Sequence, residues 1–214
     1  MRLAKIKSVS PIENEPVSIV TLELLENGEK RTERLTVFIS YCHENGIKPG
    51  AVDENTLDGL FDAAKLCHAV KKGESLISFS ANSRAGLISK LRARGIEAEY
   101  ASRAADILSA RGFVDDRENA LAEAERCVRK LWGERRILSH LFSKGYKEDT
   151  LNEVRAYLED VDFFASCRAL VEKKYRGAVS NDPKERERAV AALVRYGYSP
   201  GLIKAVLARL KAKN

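Results

Sequence analysis

No apolar stretch in the 214 residues approaches the roughly 20 that a membrane-spanning helix needs. The opening segment, MRLAKIKSVSPIENE, lacks the apolar core of an export signal, so the expected location is the cytoplasm and no membrane association is expected. The four cysteines, Cys42, Cys67, Cys127 and Cys167, are scattered, with no pair at zinc-ligand spacing. The adjacent pairs Cys42–His43 and Cys67–His68 invite a metal reading. Reduced thiols are normally buried and inert, however, and Cys67, Cys127 and Cys167 fall on apolar helix faces as small core residues. No metal or other cofactor is therefore expected. A phosphate loop, a paired-histidine motif and a nucleophile elbow are all missing. His43, His68 and His140 stand far apart in the chain, each more simply read as structural. Catalysis is not expected, and no catalytic residue is assigned.

What is present is a unit that occurs three times. Its copies are RAGLISKLRARGIEAEYASRAADIL from Arg84, RRILSHLFSKGYKEDTLNEVRAYL from Arg135, and RAVAALVRYGYSPGLIKAVLARL from Arg188. They align on Gly95, Gly145 and Gly197, a spacing typical of repeat architectures. Four residues before each glycine stands Leu91, Leu141 or Leu193, and seven before stands Ile88, Leu138 or Val190. These positions line one helix face. Ile96, Tyr146 or Tyr198 follows the glycine directly, and Leu108, Leu158 or Leu210 lies thirteen beyond. Glycine tolerates the left-handed backbone that ends a helix, so each unit reads as two helices joined by a tight turn. Neither helix can bury its stripe alone, which calls for a third, covering helix. Segments 114–131 and 161–175 suit that role in the second and third units.

Upstream, LAKIKSV alternates and VSIVTLEL is rich in β-branched residues; both read as strands. Asn27-Gly28 is a hairpin signal, and RTERLTVFIS returns as a third strand. HENGIKPGAVDENT reads as a loop, with Asp53 or Thr56 capping a helix that carries Leu57, Leu60 and Phe61 and breaks near Gly73. Asn82-Ser83 precedes the first repeated pair as loop and cap. Asp115 and Asp116 are placed to cap the covering helix of the second unit. Pro183 suits the first turn of a helix. No Gly/Ser linker separates the units. The expected fold is mainly α, a tandem array of three-helix, helix-turn-helix-like repeats after a small antiparallel β element. Its divisions are 1–55, 56–112, 113–160 and 161–214.

The net charge of +6 is uneven: −2 over 1–55, +3 over 56–112, −2 over 113–160 and +7 over 161–214. This bias points to an anionic partner. The first helix of each glycine pair is basic, carrying Arg84, Lys90, Arg92 and Arg94, then Arg135, Arg136 and Lys144, then Arg186, Arg188 and Arg195. If the modules stack in one sense, these faces form a stripe suited to phosphates or acidic protein surfaces. Alternatively, Arg92, Arg94, Lys144 and Arg195 only complement helix C-terminal dipoles. Lys204, Arg209, Lys211 and Lys213 add a second basic group at the C-terminal end.

The glycine-ended pair, the junction GFVDD before an alanine-rich helix, and the N-terminal hairpin together resemble the RecX family, regulatory proteins of the RecA recombinase. The segment 108–146, LSARGFVDDRENALAEAERCVRKLWGERRILSHLFSKGY, carries the resemblance most specifically. Asn119 departs from it, standing where an aromatic is usual. The resemblance implies a curved, extended monomer that binds the RecA–DNA filament and modulates the recombinase, most often by inhibition, in DNA repair, recombination and the SOS response. It implies no catalysis.

A second reading is a helix-turn-helix protein acting directly on DNA. The second helix of the middle unit, with Glu148, Asp149, Glu153, Glu159 and Asp160, is too acidic to approach phosphates readily. Only the third unit offers a basic second helix.

Overall fold

The computed structural model describes residues 3–26, 29–79, 81–180 and 182–212. The chain forms two compact units, one of Met1–Ser80 with Leu87–Phe113, the other of Ala81–Gly86 with Val114–Asn214. No described helix is long and apolar enough to cross a membrane.

In the first unit, strands β1 (Leu3–Pro11), β2 (Val17–Glu26), β3 (Glu29–Phe38) and β4 (Gly50–Val52) make an antiparallel sheet in the order β3-β2-β1-β4. Alternation on β2 sends Val20, Leu22 and Leu24 to the buried face, where they meet Ile6, Val37, Leu57 and Leu60. The Asn27-Gly28 turn lies outside the described residues. Two differences from the sequence reading concern the segment after β3. Ile39 and Ser40 leave the sheet and begin a short helix, α1 (Ile39–Glu44). The expected loop also contains β4, which pairs Ala4 with Val52 and Ile6 with Gly50. Three residues are too few to show an alternation.

Helix α2 (Glu54–Phe79) is capped by Asp53, which accepts from the Thr56 N–H at 2.7 Å. It does not break at Gly73. That glycine is buried, and a Cβ there would lie 2.5 Å from Leu108 Cδ1. Gly73 admits the packing of α4 (Ala98–Ala110) against an unbroken helix. Asp62 on α2 fixes the contact, accepting from the Tyr100 hydroxyl at 2.7 Å and from Arg103 at 3.1 Å.

Helix α3 (Arg84–Arg92) follows α2, and α5 (Asp116–Arg129) follows α4. Of the two expected caps, only Asp115 caps α5, accepting from Glu118 N–H. Asp116 instead accepts from Arg84 N–H at 2.6 Å, at the start of α3.

The second unit continues with α6 (Glu134–Ser143), α7 (Glu148–Glu159), α8 (Phe163–Lys174), a 3-10 turn (Arg176–Val179), α9 (Pro183–Arg195) and α10 (Pro200–Lys211). Ala120, Ala124, Cys127, Ile137, Leu141, Leu151, Val154 and Leu158 form one core. Cys167, Leu170, Leu193, Tyr198, Ile203 and Val206 form another. All four cysteines are free and buried, and burial pushes the Cys67 and Cys167 thiols up to about 11. They pack as small apolar groups.

The glycine turns share one geometry. Gly95, Gly145 and Gly197 have φ of +84°, +84° and +96°. The following N–H returns to the leucine carbonyl: Ile96 to Leu91 at 3.2 Å, Tyr146 to Leu141 at 3.3 Å, Tyr198 to Leu193 at 3.3 Å. This is the Schellman helix ending. The apolar pattern needs one correction. Minus seven is only half-buried, whereas minus eight is core: Leu87 and Ile137 are fully buried and Ala189 nearly so. Minus eight and minus four are one i,i+4 step apart and stack on the same face.

The turns differ in what approaches them. A Cβ on Gly145 would lie 2.7 Å from Ala85 Cβ, and one on Gly197 would lie 2.5 Å from Arg136 N, while one on Gly95 would meet nothing within 4 Å. Gly95→Ala should therefore cost only the left-handed backbone strain, about 1 kcal/mol. Gly145→Ala and Gly197→Ala should cost about 2–4 kcal/mol, because overpacking is added. Thermal melts of the three variants test this; equal losses at all three positions would refute it.

Candidate interface for an anionic partner

The basic residues singled out from the sequence have different environments. On α3, Arg84 is half-buried, while Lys90 and Arg92 are exposed. Arg94, exposed in the turn, donates to the Lys90 carbonyl at 3.1 Å, as a helix-terminus cation would. On α6, Arg135 is exposed. Arg136 is half-buried, with its guanidinium 4.0 Å from the Trp132 ring centroid and 5.1 Å from that of Tyr196. Such stacking holds helices together.

Lys144 is bound as well. Its ammonium lies 2.8 Å from Glu123 Oε1. Glu123 sits on the buried face of α5 beside Ala120, Ala124 and Cys127. His140 Nε2 is 2.9 Å from the same oxygen, and Arg126 is 3.0 Å from the other. Trp132 packs edge-on against His140, with centroids 5.2 Å apart. Ligand atoms of Glu123, Cys127 and His140 lie within 4.8 Å of one another, the only such group of three or more potential metal ligands among the described residues. Both carboxylate oxygens already serve cations, so the cluster is chemically an ion-pair hub. The sequence signal for it was an acid on the apolar stripe of α5, which periodicity alone treats as noise. Burial would push the Glu123 carboxyl up, but hydrogen bonds from Lys144 and His140 and the charges of Lys144 and Arg126 hold it at about 2.

The cations of α9 and α10 are exposed: Arg186, Arg188, Arg195, Lys204, Arg209 and Lys211. Lys213 lies outside the described residues. Asp182 caps α9, accepting from Lys184 N–H at 2.9 Å, and Pro183 occupies its first turn. Ser199 and Pro200 do the same for α10. The two helices enclose a groove of about 620 Å³. Its floor is apolar, with Val190, Ile203 and Leu207, and its rim carries Arg186, Lys204 and Lys211 with Glu187. Among the described residues, no carboxylate lies within 4.0 Å of those three cations. An apolar trough edged by uncompensated positive charge suits an anionic, partly apolar surface. Sequence reasoning assigned Arg186 and Lys204 but not the groove, which exists only once α9 and α10 pair.

The family model described as "RecX, third three-helix domain" matches residues 160–207, which include most of the groove's lining but not Ala208 or Lys211. The chain is 32% identical over 113 residues to the regulatory protein RecX of Vibrio campbellii, covering 53% of this chain and 72% of that protein. It is 28% identical over 136 residues to the regulatory protein RecX of Xanthomonas axonopodis pv. citri, covering 64% and 83%. Among solved structures, a crystal structure of regulatory protein RecX superposes with a TM-score of 0.74 at 17% identity, covering 95% of this chain and 98% of that one. RecX from Lactobacillus salivarius gives 0.60 at 17% identity, with 69% and 97% covered.

The Glu123 hub makes a pH-dependent prediction. The carboxyl titrates at about 2 in the folded chain against an ordinary value of 4.5. A depressed acid stabilises the fold above its unfolded pKa and loses that contribution as pH falls through the folded one. Glu123→Gln should destabilise at pH 7 by roughly 2–3 kcal/mol. It should also remove part of the stability loss that the parent chain shows between pH 4.5 and 2. Denaturant titrations across that range, with parallel curves for both proteins, would contradict the assignment.

Proposed function

Since the chain belongs to the RecX family, we propose that it is a non-catalytic regulator that docks on the RecA–DNA filament and lowers recombinase activity in DNA repair and recombination. In this reading it works in the cytoplasm as a monomer and contributes to the SOS response. Residues 56–112, 113–160 and 161–214 act as successive modules behind the N-terminal element of 1–55. The observation that carries the reading is the α9–α10 groove, whose cations have no carboxylate partners among the described residues. A nucleoprotein filament presents phosphates and acidic protein surface together, and a groove with an apolar floor and cationic rim can use both. The proposed stripe contracts accordingly. Arg136 stacks on Trp132 and Tyr196, and Lys144 neutralises Glu123, so both are assigned to the fold. Lys90, Arg92, Arg135, Arg188, Arg195 and Arg209 remain exposed auxiliary contacts.

Direct action on DNA through a helix-turn-helix remains the second reading, favoured by one observation: α10 exposes Lys204, Arg209 and Lys211. The apolar floor beside Lys204 and Lys211 fits a protein surface better than a phosphate backbone.

Binding should be measured to RecA–single-stranded DNA filaments, to RecA alone and to bare DNA, at two salt concentrations, alongside ATP hydrolysis and strand exchange. Arg186→Glu, Lys204→Glu and Lys211→Glu combined should weaken filament binding at least tenfold and flatten its salt dependence, with the fold intact. Reversing Lys30 and Arg31 on β3 should have little effect. A parent chain that neither binds filaments nor changes either activity at saturation would overturn the proposal. Equal affinity for bare DNA would favour the second reading.

A further inference from the structure

Two of the three glycine turns receive the start of another helix in the same way. At the turn of Gly145, Ser83 Oγ donates to the Lys144 carbonyl at 2.5 Å, and Ala85 lies against the glycine. Ser83 also accepts from Gly86 N–H at 2.9 Å, which fixes the start of α3. At the turn of Gly197, Gly133 N–H donates to the Tyr196 carbonyl at 2.7 Å, and the Arg136 backbone N lies against the glycine. In both cases the donor reaches the residue preceding the glycine. The absent Cβ leaves room for the incoming backbone. Close approach is reflected in exposure: Tyr146 is 5% and Tyr198 1% exposed.

The turn of Gly95 has the same φ and the same return hydrogen bond, yet no described atom meets its Cβ position within 4 Å. Gly95 is exposed and Ile96 only half-buried. A recess of about 190 Å³ adjoins it, lined by Lys65, His68, Arg94, Glu97 and Tyr100. Polar contacts join residues of its walls: Lys65 pairs with Glu97 at 3.0 Å, and Tyr100 is hydrogen-bonded to Asp62. We infer that the Gly95 turn is a docking site for the first turn of a helix from a partner protein. That helix presents a hydroxyl or N–H donor to the Arg94 carbonyl and a small residue over Gly95.

Continuity with the two filled turns argues for a helix start as the occupant. A second copy of this chain is disfavoured by the way α9 begins. Helices α3 and α6 begin eleven residues before their glycines (Arg84 to Gly95, Glu134 to Gly145), whereas α9 begins fourteen before (Pro183 to Gly197). The residue of α9 in register with Ser83 and Gly133 is Glu185, whose side chain packs against Gly177. Helix α9 therefore does not offer a matching helix start. The carbonyl end of α3 also complements the positive end of an incoming helix.

The probe is an acetylated, amidated peptide copying residues 81–92, with its helix locked by a lactam beyond the first turn, added to the full chain. Hydrogen exchange should show protection of the Gly95 and Ile96 amides. Gly95→Ala, whose Cβ touches nothing in the free chain, should weaken peptide binding at least tenfold, because the same Cβ at the filled turns would lie within 2.5–2.7 Å of the incoming helix. Gly95→Asn, which tolerates positive φ, should do the same and guards against loss of fold. A peptide with Ser83→Val and Ala85→Leu should not bind. No binding, protection at Gly145 and Tyr146 instead, or binding to both Gly95 variants with the parent chain's affinity would overturn the inference. So would concentration-dependent self-association in sedimentation that Gly95→Ala abolishes, which would give the position to a second copy.

Discussion

A left-handed glycine at the end of a helix carries two duties in this fold, both used at Gly145 and Gly197 and only the first at Gly95. The positive φ lets the helix close on a return hydrogen bond, and the bare Cα lets another helix begin almost on top of it. At Gly197 both are used at once. Gly133 donates to the Tyr196 carbonyl, Arg136 stacks between Trp132 and Tyr196, and the Tyr198 hydroxyl donates to the Leu131 carbonyl at 2.9 Å. Leu131 itself is left-handed, with φ of +58°. A non-glycine residue in that region is strained, and it persists because the surrounding contacts over-determine it. Any side chain at position 197 would meet Gly133 and Arg136 before it met solvent.

Buried charge supplies the second constraint. Packing apolar stripes leaves helices free to slide by a residue or a turn at modest cost, whereas a carboxylate buried at one point tolerates a single arrangement of donors. Glu123 ties α5 to α6 in this way through His140 and Lys144, while the half-exposed Asp62 adds a weaker polar tie from α2 to α4 through Tyr100 and Arg103. The same physics decides what the Glu123–Cys127–His140 grouping is. A divalent cation would have to displace an ammonium and a guanidinium from a carboxylate already held at about 2.

The repeat was legible because its signal is backbone geometry, and a left-handed turn writes itself into the sequence as glycine. Three things were not legible, each because it depends on a partner distant in the chain. Gly73 looked like a helix break, since nothing local reveals Leu108 lying where its Cβ would be. β4 is too short to alternate and is held only by β1. Arg136 and Lys144 read as surface cations, since composition cannot say which basic residue faces a buried carboxylate or two aromatic rings. The sequence therefore counts the basic residues without telling which of them the fold engages.

Availability is what separates the third glycine pair from the second. A cation already paired inside the fold must break that pair to engage a partner, and the two terms nearly cancel. Lys144 is in that position. Arg186, Lys204 and Lys211 are not, and they stand around an apolar floor that excludes water from one side of each contact. Exposed ion pairs are individually worth about 0–1 kcal/mol. In the proposed docking, cations grouped on a rim over apolar surface would act together with burial, and the affinity would be salt-dependent without depending on any single residue. Of the net +7 over 161–214, +5 falls on α9 and α10, where Arg186, Lys204 and Lys211 have no carboxylate partner among the described residues.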